Sequence, residues 1–224
     1  MSYSTVLFDL DGTLCESAEP GATVYADAFE AAGVEPFGTA TELWGALEEP
    51  PDHDDPVGYL AAGFARVAAR HGRAPVDAAG LARGFLEVVD YSNVVPRPGA
   101  VEAIEAAGRV ARIGVVTNGP ESRQAAKLDV LPFGDTFETV VYAADLGRRK
   151  PNRDPFDAAL GSLDANPGET VYVGDSLAFD VAGAQNAGID AAWCGSDSLD
   201  PRPFRPEYVL ESLADLRGVL EGSR

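Results

Sequence analysis

The run 5-TVLFDLDGTL-14 carries apolar residues straight into Asp9 and Asp11, one residue apart, and then into Gly12-Thr13. A short strand that is apolar on successive residues is buried on both faces, which is the habit of a parallel sheet covered on both sides. Two carboxylates at its end repel each other unless something neutralises them. If the strand continued, the i, i+2 spacing would put both side chains on one face. At a frayed strand end they can diverge, and Gly12 allows the tight turn this needs.

Further β-like runs follow at 112-RIGVVTN-118, 138-ETVVYAA-144, 169-ETVYVGD-175, 189-IDAAWC-194 and 207-EYVL-210. Helical patterns lie between them at about 99–109, 120–131, 155–163 and 177–187, and 211–224 reads as a closing helix. Strands alternating with helices predict right-handed crossovers and an α/β, doubly wound, Rossmann-like parallel sheet core. From about 16 to 94 no convincing strand appears. Alanine-rich amphipathic stretches stand there instead, at 20–33, 57–72 and 78–91. This predicts an inserted α-helical cap domain over 16–94, with the α/β catalytic core made of 1–15 and 95–224. The segment 93-NVVPRPGA-100, with two prolines and a glycine, suits a hinge or linker.

The 224 residues carry 36 acids against 17 bases, a net charge of −19. Such a surface repels nucleic acid and anionic membranes. Only Lys127 and Lys150 are lysines among those bases; the rest are arginines. Excess acid with little lysine predicts a salt-rich, halophilic cytoplasm, where screening shortens the reach of self-repulsion. No window approaches the length of a membrane span. The N-terminus lacks a basic segment followed by a long apolar run, so a cytoplasmic protein is expected. Cys15 and Cys194 read as buried hydrophobes, and His53 and His71 are too few for a histidine-rich metal site. The run 52-DHDD-55 reads as a solvated acidic loop.

In open α/β sheets ligands bind beyond the carboxyl ends of the strands. There the sequence places Asp9 and Asp11, then Thr117-Asn118-Gly119, then Lys150-Pro151, then Gly174-Asp175-Ser176, with Asp180 a turn further on. Carboxylates without nearby His or Cys suit a hard cation, Mg²⁺ above all. A divalent ion would also make their crowding tolerable. Thr117, the donors of Asn118 and Gly119 at a helix start, and the compact charge of Lys150 suit an anion such as a phosphoryl group. Asp180, in the first turn after Ser176, can tilt back toward the same cation.

In order and spacing, DLDGT (9–13), Thr117 in VVTNG, Lys150 in GRRKPNRDPF and GDSLAFD (174–180) resemble the four motifs of the haloacid dehalogenase-like hydrolase superfamily, phosphatase type, with a helical cap after the first motif. The resemblance implies a Mg²⁺-dependent phosphatase acting on a small phosphorylated metabolite. Asp9 would be the nucleophile that becomes an aspartyl phosphate, and Asp11 the general acid and base. Asp9, Asp175 and the backbone carbonyl of Asp11 would hold the metal, with Asp180 supporting it. Thr117, Asn118 and Lys150 would bind phosphoryl oxygens. The dehalogenase of the same superfamily is an alternative that Asp11 argues against. A phosphomutase is another, with Arg66, Arg70, Arg73 and Arg83 available for a second phosphate. A non-enzymatic, receiver-like module is a third. Glu16, Trp44, Phe64 and Tyr91 could touch substrate, although core packing is the simpler expectation.

Overall fold

The computed structural model describes residues 3–47, 54–195 and 201–222. In chain order its strands and helices are β1 (Thr5–Phe8), β2 (Cys15–Ser17), α1 (Gly21–Ala32), α2 (Ala40–Ala46), α3 (Pro56–Arg70), α4 (Ala78–Val88), β3 (Val94–Pro96), α5 (Ala100–Gly108) and β4 (Arg112–Thr117). The remainder are α6 (Glu121–Val130), β5 (Thr139–Tyr142), α7 (Asp154–Ser162), β6 (Thr170–Gly174), α8 (Ala182–Asn186), β7 (Asp190–Trp193), β8 (Tyr208–Val209) and α9 (Leu216–Leu220). The chain divides into two compact units, Met1–Glu16 with Val94–Arg224, and Ser17–Asn93.

The first unit holds a six-stranded sheet in the order β5-β4-β1-β6-β7-β8. Each neighbouring pair runs parallel. In β1, Thr5 pairs with Arg112 on one side and Thr170 on the other, so β1 is central. Alternation along the strands divides two cores. Val6, Phe8, Ile113, Val115, Val171 and Val173 face one core, with Ile104 of α5 and Leu216 of α9. Leu7, Val116, Tyr172 and Trp193 face the other, with Phe156 of α7 and Ala184 of α8. This is the doubly wound α/β architecture expected from strands apolar on both faces.

Ser17–Asn93 holds α1 to α4. Its core joins Tyr25, Phe29, Phe64 and Phe85, whose rings meet at centroid distances of 5.0 to 6.4 Å. Side chains of Thr39, Asp55 and Asp77 accept hydrogen bonds from backbone N–H groups three residues on, and so cap α2, α3 and α4.

Several expectations are corrected. Two short strands, β2 and β3, form a separate two-stranded sheet at either end of the 16–94 segment, where none was expected. β3 occupies part of the stretch read as a hinge. Helix α2 lies outside the three helical stretches read from the sequence. The 177–187 helix is a π-helical turn over Leu177–Val181 followed by the short α8, and the closing helix shrinks to α9 after a 3₁₀ turn at Leu213–Asp215. Phe64 is fully buried, whereas Trp44 is half exposed and Glu16 pairs with Arg97 at 3.7 Å. His71 bonds Glu42 at 2.9 Å; His53 and Asp52 lie outside the described residues. Cys15 and Cys194 are buried free thiols. Among the described residues no helix is long and apolar enough to cross a membrane.

Candidate active site

The site is built from the carboxyl ends of β1, β4 and β6 and the loop after β5. Strand β1 stops at Phe8, so Asp9 already stands beyond it, with its N–H still bonded to Val173 O at 2.9 Å. The chain then folds back: Leu14 N reaches Leu10 O at 2.9 Å and Gly12 N reaches Cys15 O at 3.0 Å. Gly12 sits at φ +77°, a left-handed conformation that costs a residue with a Cβ about 1–2 kcal/mol. A Cβ there would also lie 2.6 Å from Asp175 Oδ2. Arg97 donates to Gly12 O from β3's end of the loop. The turn sends the two aspartates apart. Asp9 is buried, while the side chain of Asp11 is half exposed.

Asp9 points at Lys150, whose Nζ lies 2.6 Å from Asp9 Oδ1, 2.7 Å from Asp180 Oδ1 and 2.8 Å from Tyr172 Oη. These three partners use the three donors of an ammonium. Tyr172 Oη in turn donates to Val116 O at 2.9 Å. The other oxygen of Asp180 accepts from Ser176 N at 2.9 Å, and Ser176 caps the turn by accepting from Phe179 N. Gly174 is needed at this point, because a Cβ would fall 2.5 Å from the Asp180 side chain.

Carboxylate oxygens of Asp9, Asp175 and Asp180 all lie within 4.8 Å of one another. The hydroxyl of the fully buried Thr13 stands 3.4 Å from both Asp9 Oδ2 and Asp175 Oδ1. Burial is the largest influence on Asp9 and pushes its carboxyl up to about 8, against the pull of Lys150. Burial also raises Asp175, and the charge of Asp180 adds to it. For Lys150, burial works against the ammonium, but the charges of Asp180 and Asp9 outweigh it and leave its pKa above the ordinary value. Burial thus dominates at the carboxylates, whereas at the ammonium the two carboxylates that share it prevail. Three oxygen donors, a surplus of negative charge and no sulfur or imidazole among them fit a hard divalent cation.

The other predicted residues stand around this cluster. Thr117 is buried at the end of β4, and its hydroxyl accepts from Gln124 Nε2 at 2.5 Å. Asn118 faces the Lys150 loop: its Oδ1 accepts from Lys150 N at 2.8 Å and its Nδ2 donates to Lys150 O at 3.2 Å. Its amide therefore holds the Lys150 loop in place. Asp11 is turned toward α6, where Lys127 Nζ lies 2.6 Å from Oδ1 and Gln124 Nε2 lies 2.7 Å from Oδ2. The structure thus gathers Asp9, Lys150, Asp175 and Asp180 in one cluster and holds the Asp11 side chain beside it. Sequence reasoning missed Thr13, Tyr172, Gln124 and Lys127. Thr13 stood inside the DLDGT run and Lys127 was rare as a residue type, whereas Tyr172 and Gln124 carried no signal.

The family model for haloacid dehalogenase-like hydrolases matches residues 3–188. A pyrophosphatase, PpaX of Halalkalibacterium halodurans, is 28% identical over 235 residues, covering 98% of each chain. Pyrimidine 5'-nucleotidase YjjG of Escherichia coli is 33% identical over 128 residues; the match spans 56% of this chain and only 56% of the nucleotidase. The fold matches the magnesium-bound crystal structure of the HAD-hydrolase YfnB from Bacillus subtilis with a TM-score of 0.73 and 25% identity, over 99% of this chain and 100% of that one. With its sheet order, its strand-end acids and its family match across most of its length, the chain belongs to the haloacid dehalogenase-like hydrolases.

Proposed function

We propose that this hydrolase is a Mg²⁺-dependent phosphatase that acts on a small phosphorylated metabolite through a phosphorylated Asp9. The observation that carries the reading is the convergence of Asp9, Asp175 and Asp180 within 4.8 Å, with the Lys150 ammonium on two of them. The magnesium in YfnB and the phosphorylated compounds named for PpaX and YjjG support it.

Asp9 Oδ attacks phosphorus, and the bond from phosphorus to the leaving oxygen breaks. Asp11 gives that oxygen its proton. A water then attacks the phosphoaspartate, Asp11 takes the water's proton, and the bond between Asp9 and phosphorus breaks to release inorganic phosphate. Thr117, Asn118 and Lys150 bind phosphoryl oxygens, Lys150 by exchanging one of its three present partners for the anion, and the Asn118 side chain fixes the loop that presents Lys150. Asp9, Asp175 and the Asp11 carbonyl would hold Mg²⁺, supported by Asp180. When bound, the ion neutralises charge on the acids and the phosphoryl group. Residues 16–94 are assigned as a specificity cap on their place of insertion, directly after the DLDGT turn. The acid excess and scarce lysine support a salt-rich cytoplasm as the setting.

The test is phosphate release from p-nitrophenyl phosphate in high-salt buffer. We expect release with Mg²⁺ and none with excess chelator. Halide release from 2-chloropropionate without phosphate release would favour the dehalogenase alternative instead. A panel of sugar phosphates, nucleotides and pyrophosphate would then identify the substrate class.

A further inference from the structure

The chain has two lysines, Lys127 and Lys150, against fifteen arginines. Each of the two meets one aspartate of the DLDGT turn. Lys150 Nζ lies 2.6 Å from Asp9, and Lys127 Nζ lies 2.6 Å from Asp11. Lys127 stands one turn beyond Gln124 on α6, so both side chains leave the same face of the helix. Gln124 is 1% exposed, and its amide reaches both Asp11 Oδ2 and Thr117 Oγ1. A solvated lysine on a surface helix does not need a buried amide working on the same carboxylate.

We infer that Lys127 and Gln124 are positioning residues that fix the carboxyl of Asp11 for proton transfer to the leaving oxygen. The inference rests on the reading of Asp11 as general acid. A carboxylate offers about four acceptor sites, two on each oxygen. Lys127 takes one on Oδ1 and Gln124 one on Oδ2, which leaves each oxygen a lone pair for the travelling proton. In the forward step the proton leaves Asp11 for the leaving oxygen as its bond to phosphorus breaks. The carboxylate that remains is held by the same two donors, and the water's proton later returns to it. Through Gln124, the acid is also tied to Thr117 at the phosphoryl end of the site.

The experiment compares kcat/KM for p-nitrophenyl phosphate and glycerol 2-phosphate in the wild type and in Lys127→Met, Lys127→Arg, Gln124→Leu, Asp11→Asn and Asp11→Asn/Lys127→Met. The nitrophenolate leaves without help, whereas the alkoxide needs a proton. A well-placed general acid is worth roughly 10²–10⁴-fold, so Lys127→Met is expected to lose about tenfold or more on glycerol 2-phosphate and less than about threefold on p-nitrophenyl phosphate. Lys127→Arg should recover part of the loss, Gln124→Leu should show the same bias between substrates, and in the Asp11→Asn background Lys127→Met should add nothing. Equal losses on both substrates, or no loss, while Asp11→Asn itself discriminates between them, would overturn the positioning role and leave the acid assignment standing. If Asp11→Asn does not discriminate, the acid assignment fails and the inference falls with it. Thermal melting of each variant separates these outcomes from unfolding.

Discussion

Lys150 Nζ lies 2.6 Å from Asp9 Oδ1, and both groups are buried. Asp180, at 2.7 Å, shares the same ammonium. Removing one partner of a buried ion pair leaves charge without compensation and costs about 3–5 kcal/mol. Lys150→Met is therefore expected to lower unfolding stability by about that amount in chelator-treated protein, and to abolish turnover. Urea denaturation followed by circular dichroism measures the first effect. A loss below about 1 kcal/mol, the range of an exposed pair, would show that the ammonium is not the site's counter-charge.

Gly12 combines a left-handed backbone with a close approach to Asp175, whereas Gly33, at φ +64°, has open space where a Cβ would go. The two alanine variants separate backbone strain from damage to the site. Both should lose about 1–2 kcal/mol of stability. Only Gly12→Ala should displace Asp175, weaken activation by Mg²⁺ and cut turnover by roughly 100-fold. Titration of activity against Mg²⁺ for the pair gives the comparison; a Gly12→Ala enzyme with wild-type activation would remove the turn from the site.

Alkaline pH should destabilise the fold. Burial pushes the thiols of Cys15 and Cys194 from 9.0 up to about 12, and the phenol of Tyr25 from 10.0 up to about 12. Burial also raises the phenols of Tyr3 and Tyr172. The folded chain keeps protons that the unfolded chain releases, so the unfolding free energy falls with rising pH. This contribution is complete below pH 9.0, where the unfolded thiols begin to titrate, and declines toward about 12. Denaturation midpoints at pH 8, 9.5 and 11 should decrease in that order; a flat profile would contradict the buried placement of these groups.

A net charge of −19 sets a long-range repulsion that salt screens, with a Debye length falling from about 10 Å at 0.1 M to about 3 Å at 1 M. The melting temperature should rise between 0.1 and 2 M KCl if the chain is suited to a salt-rich cytoplasm. A fall over that range would count against that setting.

The sheet was legible because β1, β4 and β6 are apolar on both faces, a pattern that local sequence alone expresses. Asp9, Asp175 and Lys150 were legible because acids and a rare lysine stand where such strands end. The partners of those groups were not. Tyr172 reads as one more apolar strand residue, and only the placing of β6 and β4 on either side of β1 shows its hydroxyl meeting Lys150 and Val116. Gln124 and Lys127 read as the polar face of an ordinary helix until α6 is laid against the DLDGT turn. The side-chain amide of Asn118 bonds the backbone of Lys150, a pairing across 32 residues that no local pattern expresses. Strands β2 and β3 have three residues each, too few for alternation to register.

The most direct test of the central claim is acid-quenched turnover of a ³²P-labelled phosphomonoester by the wild type and Asp9→Asn with Mg²⁺ present. The account predicts a hydroxylamine-labile radiolabel on the wild-type protein, and an Asp9→Asn protein that is folded, unlabelled and without turnover. Phosphate release by Asp9→Asn at a rate near the wild type, or a label that persists in that variant, would contradict it.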